Sequence, residues 1–312
     1  MNFASVEKIA KAVLYEGYIL YPYRPSSTKN RQRWNFGTLY PRDWAEWQRP
    51  AEPSRMVTEC PVQVVPETKL DLRAKFLQFI PSTEGEYWEQ GVERWADQNV
   101  DMARLCEETV SLNLAFQEAE RVEGLKPLSA NLLISAEVLK DALCKLHLEL
   151  QNTTSVSNPE EFARTQMLLQ SMVSAHVLLG VNNGEFVSLL DPPADLADAV
   201  KSCQNSGAFP VLAGEEGQRS MMLSSPIILY DYPQIAPESV GDFFDGTEMD
   251  EILALRVMTL SEEEKEVMRQ CDEHARHILE RTETLPAEHW MKLPGAIRGV
   301  RRVQEDEAQD KV

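Results

Sequence analysis

Hydrophobic and polar positions divide the chain into three textures. At the start, Val6, Ile9, Ala10, Val13 and Leu14 recur at helical spacing, with Ser5 placed to cap the helix and Gly17 to close it. Tyr18 to Tyr23 reads as an extended segment, Ser26 to Asn30 as a polar loop, and 31–40 as a loosely alternating strand. From about Met56 the period becomes two. Val57–Val65, Leu70–Phe79, Thr109–Phe116, Leu132–Val138 and Leu143–Leu150 all read as strands. Asn182-Asn183-Gly184-Glu185, set between Ala175–Val181 and Phe186–Leu190, predicts a type I′ hairpin, because Asn-Gly supplies the two positive φ angles that turn needs. Ala194–Cys203 reads as a short helix. Phe209–Leu212 and Pro226–Tyr232 read as short strands on either side of a charged turn, Gly214 to Gln218. After Thr247 the period returns to that of a helix. Thr247 with Asp250 imitates a capping box, and Ser261 with Glu264 matches one. Val267, Met268, Cys271, Ala275, Ile278 and Leu279 then form one apolar stripe, which Pro286 ends.

This order predicts an α+β fold: a β-rich antiparallel sheet or sandwich at the centre, an N-terminal helix, and C-terminal helices. The expected divisions are 1–55 (helix and aromatic, basic segment), 56–246 (β-rich core), 247–302 (helices) and 303–312 (a charged, disordered tail). Composition supports a globular chain, with 43% hydrophobic residues to fill a core. Cys60, Cys106, Cys144, Cys203 and Cys271 stand singly, and an odd count closes no disulfide framework. Residues 1–20 do not have the texture of a signal peptide, and no apolar run is long enough to span a membrane. The expectation is a cytoplasmic protein with reduced thiols.

Charge sharpens the picture. The net charge is −19, which weighs against nucleic acid and anionic membranes as partners. Its distribution is uneven: residues 1–49 carry +4, and the remainder carries −23. Within the positive segment, aromatic and basic side chains alternate. Tyr18, Tyr21, Tyr23, Arg24, Arg31, Arg33 and Trp34 are the residue types that dominate protein interfaces, so this strip is a candidate partner-binding surface. The competing reading packs the tyrosines on the protein's own sheet and pairs the arginines with its own carboxylates. Single-stranded nucleic acid would suit the same side chains but not the acidic body.

No complete catalytic or cofactor motif is present, and no cofactor is implied. Gly214-Glu215-Glu216-Gly217 lacks the Lys-Ser/Thr of a phosphate loop, and its carboxylates repel phosphate. Cys271-x-x-His274-x-x-His277 is the one compact group of soft ligands, but this spacing spreads the three around a helix, so no metal site is expected. His147 and His176 lie on separate strands. The acidic residues Asp242, Asp245, Glu248, Asp250 and Glu251 suit the first turn of a helix and lack the spacing of a calcium loop. If the chain is an enzyme, the candidate site is a set of loop carboxylates: Asp191, Glu215, Glu216, Asp231 and Asp245.

Three segments are distinctive together. They are Val13 to Arg24 with its continuation through Trp34-Asn35-Phe36-Gly37, Phe186 to Pro193, and Leu223 to Pro233 with its continuation through Asp245 to Leu253. In them the chain resembles a family of uncharacterised bacterial proteins often encoded in gene clusters for uptake [NiFe] hydrogenases. The resemblance spans most of residues 6–295. It implies a non-enzymatic accessory or assembly factor that binds hydrogenase subunits or maturation factors, with an enzyme of unknown substrate as the alternative. No His-rich tract, paired cysteines or GTP-binding loop marks a chain that handles nickel or iron itself.

Overall fold

A single strand of 26 residues organises the molecule. The structure, a computed structural model, describes residues 3–21, 23–24, 27–31, 36–81, 90–117, 124–235, 250–271 and 273–286. In chain order these form α1 (Ala4–Tyr15), α2 (Thr28–Arg31), α3 (Arg42–Trp47), the long strand β1 (Arg55–Ile80), β2 (Gln90–Asp101), α4 (Met102–Glu107) and β3 (Val110–Phe116). Next come β4 (Leu128–Lys140), β5 (Leu143–Asn152), α5 (Arg164–Leu168), β6 (Val173–Phe186), α6 (Ala197–Lys201), β7 (Phe209–Leu212) and β8 (Met221–Ser225). The helices α7 (Asp250–Met258), α8 (Glu262–Cys271) and α9 (Glu273–Glu283) follow. The fold is α+β, with an eight-stranded sheet in the order β3-β4-β5-β1-β6-β8-β7. Every pairing is antiparallel, and β2 joins the second half of β1 where β5 leaves it.

Alternation explains the main core. Leu146, Leu148 and Leu150 of β5 point inward beside Leu132 and Ile134 of β4, with polar residues between them outward. The sheet wraps around this core. Phe76 of β1 meets Phe116 of β3 edge-on at 4.9 Å. Three ladder steps separate those strands, about 14 Å if the sheet were flat. Strand β6 is buried on both faces. Its Ala175, Val177, Leu179 and Val181 enter the main core, while Leu178 packs in a second cluster with Val6, Ala10 and Val13 of α1. That double burial is why its sequence is a continuous apolar run.

Beneath α1 lies a polar network. Lys75 of β1 and His176 of β6 are cross-strand partners, and both are buried. The Lys75 Nζ donates to Glu7 of α1 at 2.6 Å and pairs with Glu93 of β2 at 3.1 Å. Arg73 bonds both oxygens of Asp97 and reaches Glu7 at 3.3 Å. The His176 Nδ1 lies 2.8 Å from the Ser174 carbonyl, which makes Nδ1 the protonated nitrogen. Its Nε2 has no partner among the described residues, and burial pushes its pKa down to about 4.

Several sequence expectations are corrected. Val57–Val65 and Leu70–Phe79 are halves of one strand. The Asn-Gly hairpin does not form: β6 runs straight through it along β1. Asn183 does take a positive φ of 58°, but the conformation serves a register shift in which 65–68 of β1 stand opposite Asn183. Thr68 Oγ1 ties the excursion, accepting from Val65 N–H and donating to the Asn183 carbonyl. Gly184 is required there because a Cβ would stand 2.8 Å from the Gln63 carbonyl oxygen. The expected strand Pro226–Tyr232 is displaced to β8, and Tyr18–Tyr23 is turn-rich rather than extended. Of the expected strand over 31–40, Leu39 makes one bridge, to Met172, and 32–35 lie outside the described residues. Helix α1 begins at Ala4 on the Phe3 carbonyl, so Ser5 is not its cap. The C-terminal stripe is split between α8 and α9, which fold back so that Lys265 and Arg269 both reach Glu283. The Ser261–Glu264 capping box forms as read. Thr247 and 303–312 lie outside the described residues.

Candidate functional site

Two tyrosines of the aromatic and basic strip are folded inward. Tyr18 is 4% exposed and Tyr23 is fully buried, both in a cluster with Leu253, Met268, Ile278 and Leu279 of the C-terminal helices. Tyr18 stacks edge-on to Tyr15, and its hydroxyl accepts from the Gly91 N–H at 2.9 Å. Tyr21 is half-buried with the Arg256 guanidinium over its ring. Arg24 donates to Glu264 of α8 at 2.6 Å. Asn30 organises the segment from within, its amide bonding the Leu20 N–H, the Leu20 carbonyl and the Arg24 carbonyl. As docking residues, Tyr18 and Tyr23 are therefore corrected, since both are buried against the C-terminal helices; Arg24 keeps 40% of its side chain exposed while it ties the segment to Glu264 of α8. The side chains of Arg31, Arg33 and Trp34 lie outside the described residues. Substituting Tyr18→Phe is expected to cost about 1 kcal/mol in urea unfolding, the value of a bond such as that from the Gly91 N–H.

The candidate carboxylates that the structure describes differ in what they do. Asp231 is a latch: it accepts from Ser188 Oγ with one oxygen and from the Leu212 N–H, at 2.8 Å, with the other. Asp191 is exposed, its N–H spent on Ser188 Oγ. Glu215 and Glu216 are exposed on the β7–β8 turn, which Gly214 and Gly217 close with positive φ. Asp245 lies outside the described residues. His147 pairs across the ladder with Glu59 at 2.9 Å, far in register from His176. Cys271 is buried, with its Sγ 3.5 Å from the Tyr23 carbonyl. His274 stacks on Tyr15 at 4.6 Å, and His277 is exposed. No metal-holding group of three His, Cys, Asp or Glu is found among the described residues.

What the structure does bring together is the three distinctive segments. Gly37, at φ 53°, lies under Pro226, where a Cβ would stand 2.5 Å from the proline ring. Ser188 reaches Asp231. From this junction Pro226 to Tyr230 continues beyond β8 as an alternating stretch. Ile227 and Leu229 pack inward on the α1 cluster, while Ile228 and Tyr230 stand 82% and 87% exposed. The backbone of Ile228, Leu229 and Tyr230 makes no bond to a neighbouring strand among the described residues. Ile228 borders a cleft of about 500 Å³ that Tyr40, Glu52, Arg164, Phe209 and Pro226 also line. Tyr40 is fully buried, and its hydroxyl has no partner among the described residues. Burial first of all pushes that hydroxyl up to about 12, so it stays a neutral donor. Arg164 lies over the Tyr40 ring and pairs with Glu52 at 3.1 Å.

The alternation of 226–232 reads as a strand, and the structure keeps the alternation without the ladder. The missing signal was the Ser-Pro step at Ser225-Pro226, where a proline with no N–H ends the ladder. No described helix is long and apolar enough to cross a membrane. Compared with family models and with curated proteins, the chain matches none.

Proposed function

We propose that the protein is a non-enzymatic binding factor that docks a protein partner on Pro226–Tyr230 and the adjoining cleft. The observation that carries this reading is the exposure of Ile228 and Tyr230 on a segment anchored by its alternate side chains. Two large apolar groups fully in water cost free energy unless a partner covers them. The open backbone beside them suits an extended partner segment, with main-chain bonds for affinity and the cleft for a specifying side chain. The family resemblance of the three converging segments directs the choice of partner to a [NiFe]-hydrogenase-type complex, its subunits or its maturation factors.

The test is a photo-crosslinking residue placed at position 228 or 230 in the host. A crosslink to a hydrogenase subunit or maturation factor is the expected result. A crosslink to an unrelated protein would remove the hydrogenase assignment and keep the docking surface; no crosslink at either position would remove both. Ile228→Asp with Tyr230→Asp is expected to weaken the complex about thirty-fold or more, the scale of a central interface anchor. The same double substitution should shift stability by no more than about 0.5 kcal/mol per site, because both side chains are exposed.

A further inference from the structure

Cys106 and Cys144, separated by two strands in the sequence, meet in space. Cys106 sits in the last turn of α4, and Cys144 is the second residue of β5. Their sulfurs are 3.7 Å apart. Cys144 is 2% exposed and belongs to the main core. Cys106 is half-buried and lines a cavity of about 300 Å³ with Val64, Val65, Met102 and Asp141. The other cysteines are placed differently: Cys60 is fully buried, Cys203 bonds the Ala199 carbonyl, and Cys271 faces the Tyr23 carbonyl.

We propose that Cys106 and Cys144 are a redox-active dithiol that closes reversibly to a disulfide, with Cys106 meeting the oxidant and Cys144 resolving it. The geometry needs little movement. A disulfide sets the sulfurs about 2.05 Å apart, so closure asks them to approach by roughly 1.7 Å, within reach of a χ1 adjustment on the short helix α4. The division of roles follows from access. Cys106 opens on the cavity, whereas burial, and then the contact with Cys106, push the Cys144 thiol up to about 12. Cys144 therefore stays protonated until an electrophilic sulfur is presented to it.

With a peroxide as the two-electron oxidant the steps balance. The Cys106 thiolate attacks one peroxide oxygen, the O–O bond breaks, and a sulfenic acid and hydroxide result. The Cys144 sulfur then attacks the sulfenic sulfur, and the S–O bond breaks as the S–S bond forms. The departing hydroxide takes the Cys144 proton as water. In sum, two thiols and one hydrogen peroxide give one disulfide and two waters. A small thiol reverses the reaction by exchange and is itself oxidised to its disulfide. The bond would tie α4 to β5 and enclose β3 and β4 in a covalent loop. Constraining that loop in the unfolded chain raises the melting temperature, by on the order of 5 °C for a domain of this size.

The experiment uses the full chain, reduced, desalted and treated with one equivalent of hydrogen peroxide. The expected result is a loss of about 2 Da in intact mass, reversed by dithiothreitol. A non-reducing tryptic digest should join the peptide 105–121, which carries Cys106, to the peptide 141–145, which carries Cys144. Cys144→Ser should instead stop at a sulfenic acid on Cys106, a gain of about 16 Da that dimedone traps. Because Cys144 is in the core, the wild-type digest decides the matter if that variant folds poorly. Oxidation of the wild type that leaves Cys106 as sulfenic or sulfinic acid with no crosslink would overturn the proposal. So would a crosslink to another cysteine, or a chain left unmodified after hours in excess peroxide.

Discussion

Replacing both Glu7 and Glu93 with glutamine is expected to destabilise the protein by about 3–5 kcal/mol at neutral pH, and far more than the sum of the single changes. The reason is the position of Lys75. Its side chain is 3% exposed, and its Nζ has two carboxylate partners, at 2.6 Å and 3.1 Å. Either single variant leaves the ammonium one anion, and in Glu7→Gln the Arg73 fork still holds Asp97. The double variant strands a buried cation, and the desolvation penalty is then uncompensated. Adding Lys75→Met removes that cation, keeps an unbranched chain of similar volume, and should restore most of the loss. Urea unfolding of the singles, the double and the triple checks this. Additive small effects with no rescue by methionine would show that the network is solvated and the argument wrong.

Between about pH 6.5 and pH 4 the protein is expected to lose up to about 3 kcal/mol of stability through His176 alone. The sign follows from burial. The imidazole has an ordinary value of 6.5, and burial, more than the nearby Lys75 charge, pushes it down to about 4 in the folded state. In that window the unfolded chain binds a proton that the folded chain refuses, so stability is present above about 6.5 and falls as the pH drops. Glu7 and Glu93 face the same ring and oppose the shift, but less strongly. Glu7 itself acts with the same sign at lower pH. Burial pushes its carboxyl up, but bonds and charge from Lys75 and Arg73 outweigh that and hold it below 4.5. Its contribution is therefore lost only as the pH falls from about 4.5. His176→Leu should flatten the curve of unfolding free energy against pH between 6.5 and 4.5 and leave the fall below it. An unchanged slope would show that His176 is protonated within the fold.

Much of the sheet was legible from period alone. Strands β3, β4 and β5 have one face in the core, and for such strands alternation and burial are the same fact. The Asn-Asn-Gly run in β6 was legible only in part. It signals positive φ, which Asn183 adopts, but positive φ serves a register shift as well as a hairpin. What decided between them was β1, long enough to pair with both sides of the turn residues. The split between α8 and α9 was hidden for a similar reason, since the stripe stays in phase across a chain reversal.

The candidate site was less legible. Tyr and Arg are enriched both at interfaces and in self-packed polar clusters, so composition could not place Tyr18 and Tyr23 inside or pair Arg24 with Glu264. Nor could it place Ile228 and Tyr230 outside, because alternation states which residues share a face but not which face is covered. The sequence by itself determined the α+β class, the strand-rich centre, the charge asymmetry and the capping box at Ser261. Only the tertiary structure decided which surface is open, which carboxylates are latches, and that Cys106 faces Cys144. Those outcomes rest on contacts between residues tens to hundreds of positions apart. Such contacts are set by how a curled sheet closes over its core, and no local period records them.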